Sequence, residues 1–309
     1  AKYKNNDEVA KYISSNNVNT LIDFKGSDKE LLSANIPVSS VDTDKSFAQK
    51  YKSLKFSKNI TLDLLDLNNN SVLLSYNSRK KIYPASTTKI MTALLAIESG
   101  KLDDVVTVKA SETKFAWDEQ VIGFKAGDKV TIRELLKGLI VYSGNDAAVI
   151  IADHLAGSVP AFSEKMNARA KELGAFNTHF INPNGIHNPN HYTTAYDLCL
   201  IFNQCIKHEE FLNLVKLKNT RISFKDKKGK VQALDFHSTN YYLTGKAEFP
   251  TNLTIVGGKT GTTKAAGACL ILLVKDKNGN NYISIVMDSK DHETLYQDMT
   301  KLLGCIKGD

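Results

Sequence analysis

Three Ser-x-x-Lys patterns occur in the chain, Ser78 to Lys81, Ser86 to Lys89 and Ser111 to Lys114, so the spacing alone selects none of them. On a helix, a hydroxyl and an amine three residues apart project from one face, and an amine that has lost its proton can take the hydroxyl's. Only Ser86 stands at the head of a nearly all-apolar stretch, Thr87 to Glu98, which ends at Gly100 and reads as a helix in the middle of the protein. A helix N-terminus there brings unpaired N–H groups and partial positive charge next to any oxyanion on an acyl group carried by Ser86. The apolar helix would also strip solvent from Lys89 and push its amine toward the neutral form. Ser86 is therefore a candidate nucleophile and Lys89 its base. Taken alone, the pair also reads as an N-cap serine and a lysine that snorkels to the surface.

Two further clusters follow. Ser143-Gly144-Asn145 lies at a junction between two helical segments, and because Ser-x-Asn recurs at Ser33, Ser75 and Ser238 it is by itself only a turn. Lys259-Thr260-Gly261 occurs once, among Gly257, Gly258 and Gly267 in a strand-rich region. Glycines there let a substrate backbone approach a strand edge, and equally fit a strand that ends in a glycine turn. In chain order the three clusters make up the motif set of class A β-lactamases and penicillin-binding proteins. The fuller strings Pro84-Ala85-Ser86-Thr87-Thr88-Lys89, Ser143-Gly144-Asn145-Asp146-Ala147-Ala148 and Gly258-Lys259-Thr260-Gly261, with Ala266-Gly267 after the last, narrow this. So do Asn182-Pro183-Asn184-Gly185 and His191-Tyr192-Thr193-Thr194-Ala195. Over about residues 56–304 the chain closely resembles low-molecular-mass penicillin-binding proteins of the serine D-alanyl-D-alanine carboxypeptidase type.

That resemblance implies a reaction and a site. Ser86 would attack the carbonyl between two D-alanines of a peptidoglycan stem peptide while Lys89 takes its proton, with the backbone N–H groups of Ser86 and Thr262 as the oxyanion hole. Ser143 would relay a proton to the leaving amine, completing a catalytic set of Ser86, Lys89 and Ser143. Asn145, Lys259, Thr260, Gly261 and Thr262 would hold the substrate, Lys259 and the two threonines meeting its carboxylate. No cofactor and no metal is implied, and β-lactams would acylate Ser86 and stall. One departure concerns the carboxylate: some relatives use an Arg after the third motif, and here no Arg follows Arg221.

The elements that must carry these residues are legible in outline. Thr61 to Leu64 and Val72 to Tyr76 around Asn68-Asn69-Asn70 read as a β-hairpin. Thr131-x-x-Glu134 is a capping box, Gly157 and Gly174 end two helices, and another helix runs from about Thr194 to Lys207. After residue 218 the pattern turns to strands, at Thr220 to Phe224, Val231 to Phe236, Leu253 to Val256, Ala268 to Lys275 and Tyr282 to Met287, before an amphipathic helix from His292 to Leu303. Strands at both ends with helices between predict an α/β (α+β) fold: one antiparallel sheet built from both chain ends, flanking helices, and an inserted all-helical lobe. With the resemblance this becomes a β-lactamase/transpeptidase-like fold over residues 56–309, preceded by an N-terminal extension, residues 1–55, that is polar and rich in Asn, Ser and Lys.

Composition excludes other classes. The 309 residues are 42% hydrophobic and 24% charged, which rules out a disordered chain, and no apolar run reaches the roughly 20 residues of a membrane span. A net charge of +7 includes only four arginines and no basic cluster interleaved with aromatics, against nucleic-acid binding. Cys199, Cys205, Cys269 and Cys305 form no Cys-x-x-Cys pair and read as buried free thiols. His187 and His191 have metal-ligand spacing, but Asn188-Pro189-Asn190 denies them a shared helix face, and His154 and His179 read as structural hydrogen-bonders. The chain begins at Ala1, and the expected address is extracytoplasmic, with an export signal on the precursor and any membrane attachment made through a segment outside these residues. Two rival functions stand beside the carboxypeptidase. A β-lactamase would use Glu209 of Glu209-Glu210-Phe211-Leu212-Asn213 to activate water, and a penicillin-binding sensor would acylate without turning over.

Overall fold

The computed structural model describes residues 52–306. Of the expected N-terminal extension, residues 1–51 lie outside the described residues. The hairpin forms as expected from β1 (Thr61–Asp66) and β2 (Ser71–Tyr76), its turn closed by Asn68 and Asn69, which donate to the Asp66 carboxylate. A 3-10 turn, Ala85–Thr88, runs directly into α1 (Lys89–Glu98). Next come β3 (Val105–Thr107), β4 (Lys129–Thr131) and α2 (Ile132–Lys137), which continues as a single π turn to Tyr142. Helices α3 (Asn145–Ala156), α4 (Val159–Glu172), α5 (Ala195–Cys205) and α6 (Glu209–Val215) follow. The chain then makes a ribbon of β5 (Asn219–Lys225) and β6 (Val231–His237), and a short α7 (Tyr241–Thr244). It closes with β7 (Leu253–Thr263), β8 (Gly267–Asp276), β9 (Asn281–Ser289) and α8 (His292–Leu303).

The main sheet has the order β2-β1-β9-β8-β7, so the N-terminal hairpin joins the C-terminal strands through an antiparallel β1–β9 pair. Its strands separate two cores by simple alternation. Ile271, Leu273, Ile283 and Ile285 point to the inserted lobe and pack with α1 and α5, whereas Leu270, Leu272, Val274 and Val286 point the other way onto Leu295, Met299 and Leu302 of α8. Such two-sided burial explains why β8 reads as a continuous apolar run. β7 is an edge strand, and its outer side faces the lobe.

The inserted lobe departs from expectation in one respect: it is not all-helical. β3, β4, β5 and β6 form a second antiparallel sheet against the helices. At three residues each, β3 and β4 are too short to display a period, and β6 is mostly solvent-exposed, so only the β5–β6 ribbon left a trace in the sequence. The helix boundaries agree well. Thr131 Oγ1 accepts from Glu134 N at 3.2 Å, Thr194 Oγ1 from Asp197 N at 3.0 Å, and Gly157 ends α3 in the left-handed region. Arg169 of α4 reaches Glu98 at the end of α1 through two N–H groups at 2.8 and 3.0 Å, which pins the outer helix to the inner one.

Because Ile271 is fully buried between sheet and lobe, Ile271→Ala should lower the unfolding free energy by about 2–5 kcal/mol. Urea denaturation checks this, and a change below about 1 kcal/mol would mean that β8 is not the core strand described.

Candidate active site

Ser86 sits in the 3-10 turn that α1 continues, and the turn is forced into place from two sides. Ala85 before it has a positive φ of 49°, an uncommon conformation for a residue with a side chain. A Cβ added to Gly261 of β7 would lie 2.8 Å from both Ser86 N and Thr87 N, so only glycine lets the edge strand approach the turn this closely. On the opposite side a Cβ on Gly185 would fall 1.8 Å from the Ala85 carbonyl oxygen, and Gly185 itself has φ +88°. The two glycines thus clamp the backbone that presents Ser86.

Lys89 is fully buried on the first turn of α1. Its Nζ lies 2.8 Å from Ser86 Oγ, 2.8 Å from Asn145 Oδ1 and 2.9 Å from the Asn184 carbonyl oxygen. Two of those partners are carbonyl oxygens, which can only accept. When the amine is neutral its two N–H groups therefore go to Asn145 and Asn184, and the lone pair is left facing the Ser86 hydroxyl. Burial, followed by the nearby Lys259, pushes the Lys89 pKa well below the ordinary lysine range, while Asp146 and Glu119 pull it back up. The geometry and the electrostatics both favour an amine that can accept a proton.

Ser143 ends the π turn in the left-handed region at φ 69°, and Asn145 opens α3 two residues later. Asp146, buried beside them, accepts from the backbone N–H groups of Ile122, Gly123 and Ala147 at 2.9 Å each, which ties the 116–124 loop to the head of α3. Lys259 approaches from β7: its Nζ donates to Ser143 Oγ and to the Thr260 carbonyl oxygen, both at 2.9 Å. Pairing with Ile271 turns Lys259 toward the lobe, and burial lowers its pKa to about 7. Thr260 Oγ1 lies 2.5 Å from Thr239 Oγ1, and Thr262 Oγ1 lies 2.9 Å from His292 Nε2.

All eight residues singled out in the sequence, Ser86, Lys89, Ser143, Asn145, Lys259, Thr260, Gly261 and Thr262, thus meet in one place. A cleft of about 720 Å³ opens over them. The hydrogen-bonding reading of His154 and His179 holds, as does the buried-thiol reading for three of the four cysteines. His191 is buried with both ring nitrogens engaged, Nδ1 accepting from Ile181 N at 2.9 Å and Nε2 lying 2.8 Å from Thr88 Oγ1; burial lowers its pKa to about 4. His187 instead packs edge-on against Tyr83. His154 and His179 bond to Asp104 and to the Asn190 carbonyl. Cys199, Cys205 and Cys269 are buried free thiols, while Cys305 is partly exposed. Glu209 is exposed at the start of α6 and does not line the cleft.

Sequence reading missed several cleft residues: Glu119, Tyr142, Thr239, Lys246 and His292. None belongs to a recurring motif, and only the tertiary fold brings them in. Asn184 was visible only within a family-like string, because its role is played by a backbone carbonyl that any residue type could supply.

A helix-borne serine within reach of a desolvated lysine, flanked by a second serine and a second lysine, defines an active-site-serine centre suited to acyl transfer. The profile of the D-alanyl-D-alanine carboxypeptidase family matches residues 56–291, and the chain belongs to that family. It is 32% identical over 245 residues to the D-alanyl-D-alanine carboxypeptidase DacF of Bacillus subtilis, covering 78% of this chain and 60% of that one. The chain therefore spans about three fifths of that relative's length. A D-alanyl-D-alanine carboxypeptidase of Streptomyces sp. strain K15 is 34% identical over 234 residues, which is 71% of this chain and 76% of that protein. The crystal structure of the Streptomyces K15 DD-transpeptidase superposes with a TM-score of 0.73 at 29% identity, over 79% of this chain and 95% of that one. These likenesses bear out the β-lactamase/transpeptidase-like fold.

Two predictions test the site. Gly261→Ala should leave the protein folded but slow acylation of Ser86 by fluorescent penicillin by about 100-fold, because the new Cβ displaces the nucleophile turn; an unchanged rate would show the clamp to be slack. Lys259 concerns stability. Between its folded pKa of about 7 and its ordinary 10.5, the unfolded chain holds a proton that the folded chain lacks, so this lysine makes stability rise with pH across that window. In thermal melts Lys259→Met should gain most over the parent at or below about pH 7, and the gain should shrink toward about pH 10. A pH-independent difference would refute the depressed pKa.

Proposed function

We propose that the protein is a serine-type D-alanyl-D-alanine carboxypeptidase that removes the terminal D-alanine from peptidoglycan stem peptides. The observation that carries this reading is the Lys89 amine, held by two carbonyl acceptors with its third direction on Ser86 Oγ at 2.8 Å. Ser86 Oγ attacks the penultimate D-alanyl carbonyl carbon as its proton passes to Lys89 Nζ. The carbonyl oxygen, now negative, is received by the backbone N–H groups of Ser86 and Thr262. The C–N bond then breaks, and the departing amine takes the proton that Lys89 received, relayed through Ser143, whose Oγ accepts from Lys259; this leaves Lys89 neutral again. Water, activated by the neutral Lys89, hydrolyses the ester and restores Ser86.

The free edge of β7 supports an extended peptide substrate, since an edge strand offers backbone groups for pairing. Recognition of the substrate carboxylate falls to Lys259, Thr260 and Thr262, with Asn145 on the opposite wall. Lys246, which shares the cleft, supplies positive charge in place of the Arg found after the third motif in some relatives. A β-lactam enters the same cycle and stalls at the ester. We further propose that residues 56–309 form the catalytic unit, in keeping with a family match that begins at residue 56, and that residues 1–55 are an N-terminal extension to it. The substrate places the protein outside the cytoplasmic membrane. No helix among the described residues is long and apolar enough to cross a membrane, so any attachment would use other residues.

A diacetylated Lys-D-Ala-D-Ala peptide should release D-alanine, and Ser86→Ala should reduce that release by about 10⁴-fold or more. No release from a protein that still binds penicillin covalently would favour the sensor. Loss of the penicilloyl group within seconds would make the protein a β-lactamase; persistence of the ester beyond that supports the carboxypeptidase, consistent with the exposed position of Glu209 away from the cleft.

A further inference from the structure

Among the described residues, five buried side-chain polar atoms lack a hydrogen-bond partner: Thr61 Oγ1, Ser75 Oγ, Glu119 Oε2, His208 Nε2 and Asn240 Nδ2. Glu119 is the one of these residues that lines the cleft, and the only one that can carry a negative charge. An acidic oxygen shut off from solvent without a donor is costly, and such an atom in a folded protein calls for an explanation. The local structure offers none. Lys89 is close enough for the Glu119 charge to act on it, but its Nζ is already committed to Ser86, Asn145 and Asn184. The loop that carries Glu119 is held firmly. Gln120 bonds through its side chain to the Tyr142 carbonyl, Gln120 O accepts from Asn145 N at 2.8 Å, and Asp146 fastens Ile122 and Gly123. The carboxylate is thus positioned by a rigid support beside the second motif.

Charge in the cleft is divided between its walls. Among the described residues lining it, the acids are Asp118 and Glu119, both on the 116–124 loop. Lys246 and His292 stand together around Tyr241 on the other side, His292 stacked on that ring and bonded to Thr262. A substrate that is anionic at its leaving end and cationic on its acyl side would be oriented by this division. Of the donors a peptide can bring to a carboxylate with one oxygen left unbonded, an ammonium compensates it most fully, by a charge-assisted hydrogen bond.

We propose that Glu119 is a specificity-determining residue that binds a positively charged side chain on the acyl-donor part of the substrate, the free ω-ammonium of a diamino acid preceding the scissile D-alanyl pair. This rests on the carboxypeptidase reading of the same cleft. It follows that the enzyme selects stem peptides whose ω-amine is free over those in which that amine is acylated, as it is once a peptide has been cross-linked through it.

Two peptides that differ only at that amine test the proposal, Nα-acetyl-Lys-D-Ala-D-Ala and its Nα,Nε-diacetyl counterpart. Their dissociation constants are measured by calorimetry on Ser86→Ala, which cannot turn them over. The free-ammonium peptide should bind about tenfold or more tightly. Adding Glu119→Gln should level the two constants, and Glu119→Asp, which keeps the charge, should retain part of the difference. Equal constants for the two peptides on Ser86→Ala would overturn the proposal, as would a preference that survives Glu119→Gln. So would a longer penicilloyl lifetime in Glu119→Gln with discrimination unchanged, since Glu119 would then serve the hydrolytic water instead. Absence of D-alanine release from both peptides by the unsubstituted protein would sink the carboxypeptidase reading and leave the ratio of constants to decide Glu119 on its own.

Discussion

The amine of Lys89 has no solvent and three partners, and the fold is arranged around that fact. Its partners come from the turn before α1, the first residue of α3 and the loop ending at Gly185, segments that no local interaction holds together. Each is therefore fixed by something else: the Ser86 turn by the close approach of Gly261 and Gly185, Asn145 by the Asp146 contacts, Asn184 by the Asn182–Gly185 turn, in which Asn182 Oδ1 accepts from Gly185 N at 2.7 Å. A buried lysine with no ion-pair partner is unfavourable in its charged form. The surrounding structure must supply the stability that the site withholds, and the two apolar cores flanking the main sheet are where it does so.

Lys259 makes the arrangement more demanding. It is also buried, and its proximity lowers the Lys89 pKa further, so charge on one disfavours charge on the other. Because desolvation alone takes Lys259 to about 7, it can be protonated near neutrality when an anion arrives, while Lys89, with Lys259 charged beside it, is pressed toward the free base. In the proposed reading, a substrate carboxylate bound at Lys259 would thus favour the protonation states needed at both positions. The pair acts as a unit whose two members are pushed toward opposite roles by what each faces, Ser86 Oγ for one and Ser143 Oγ for the other.

How much of this was legible in the sequence depends on the kind of interaction. The long elements were, because their periodicity reflects burial: β8 as an unbroken apolar run, α1 as a helix apolar all round, α8 as an amphipathic one. The main residues of the site were also legible, because the roles proposed for them, nucleophile, base and proton relay, each require a particular side chain. What escaped falls into two groups. Strands such as β3 and β4 exist through pairing with distant partners and have no pattern of their own. The support of the site rests on backbone atoms and on residues made adjacent only by folding, such as the Asn184 carbonyl, the Thr239 hydroxyl against Thr260, and His292 against Thr262.

Glu119 belongs to the second group and shows what such residues contribute. The three motifs account for the Ser86–Lys89 pair and its polar neighbours, and in the proposed reading their side chains serve the scissile bond and the carboxylate, while the β7 edge offers the rest of the acyl donor only backbone pairing. Selectivity for that part must come from whichever loop forms the far wall, and here the loop carries a carboxylate whose buried oxygen the protein itself leaves unbonded. Its negative field also works against a neutral Lys89, since it favours the protonated form. A cation seated on Glu119 would remove that opposition as it satisfies the oxygen, so the residue that recognises the acyl donor is also placed to couple recognition to the readiness of Lys89.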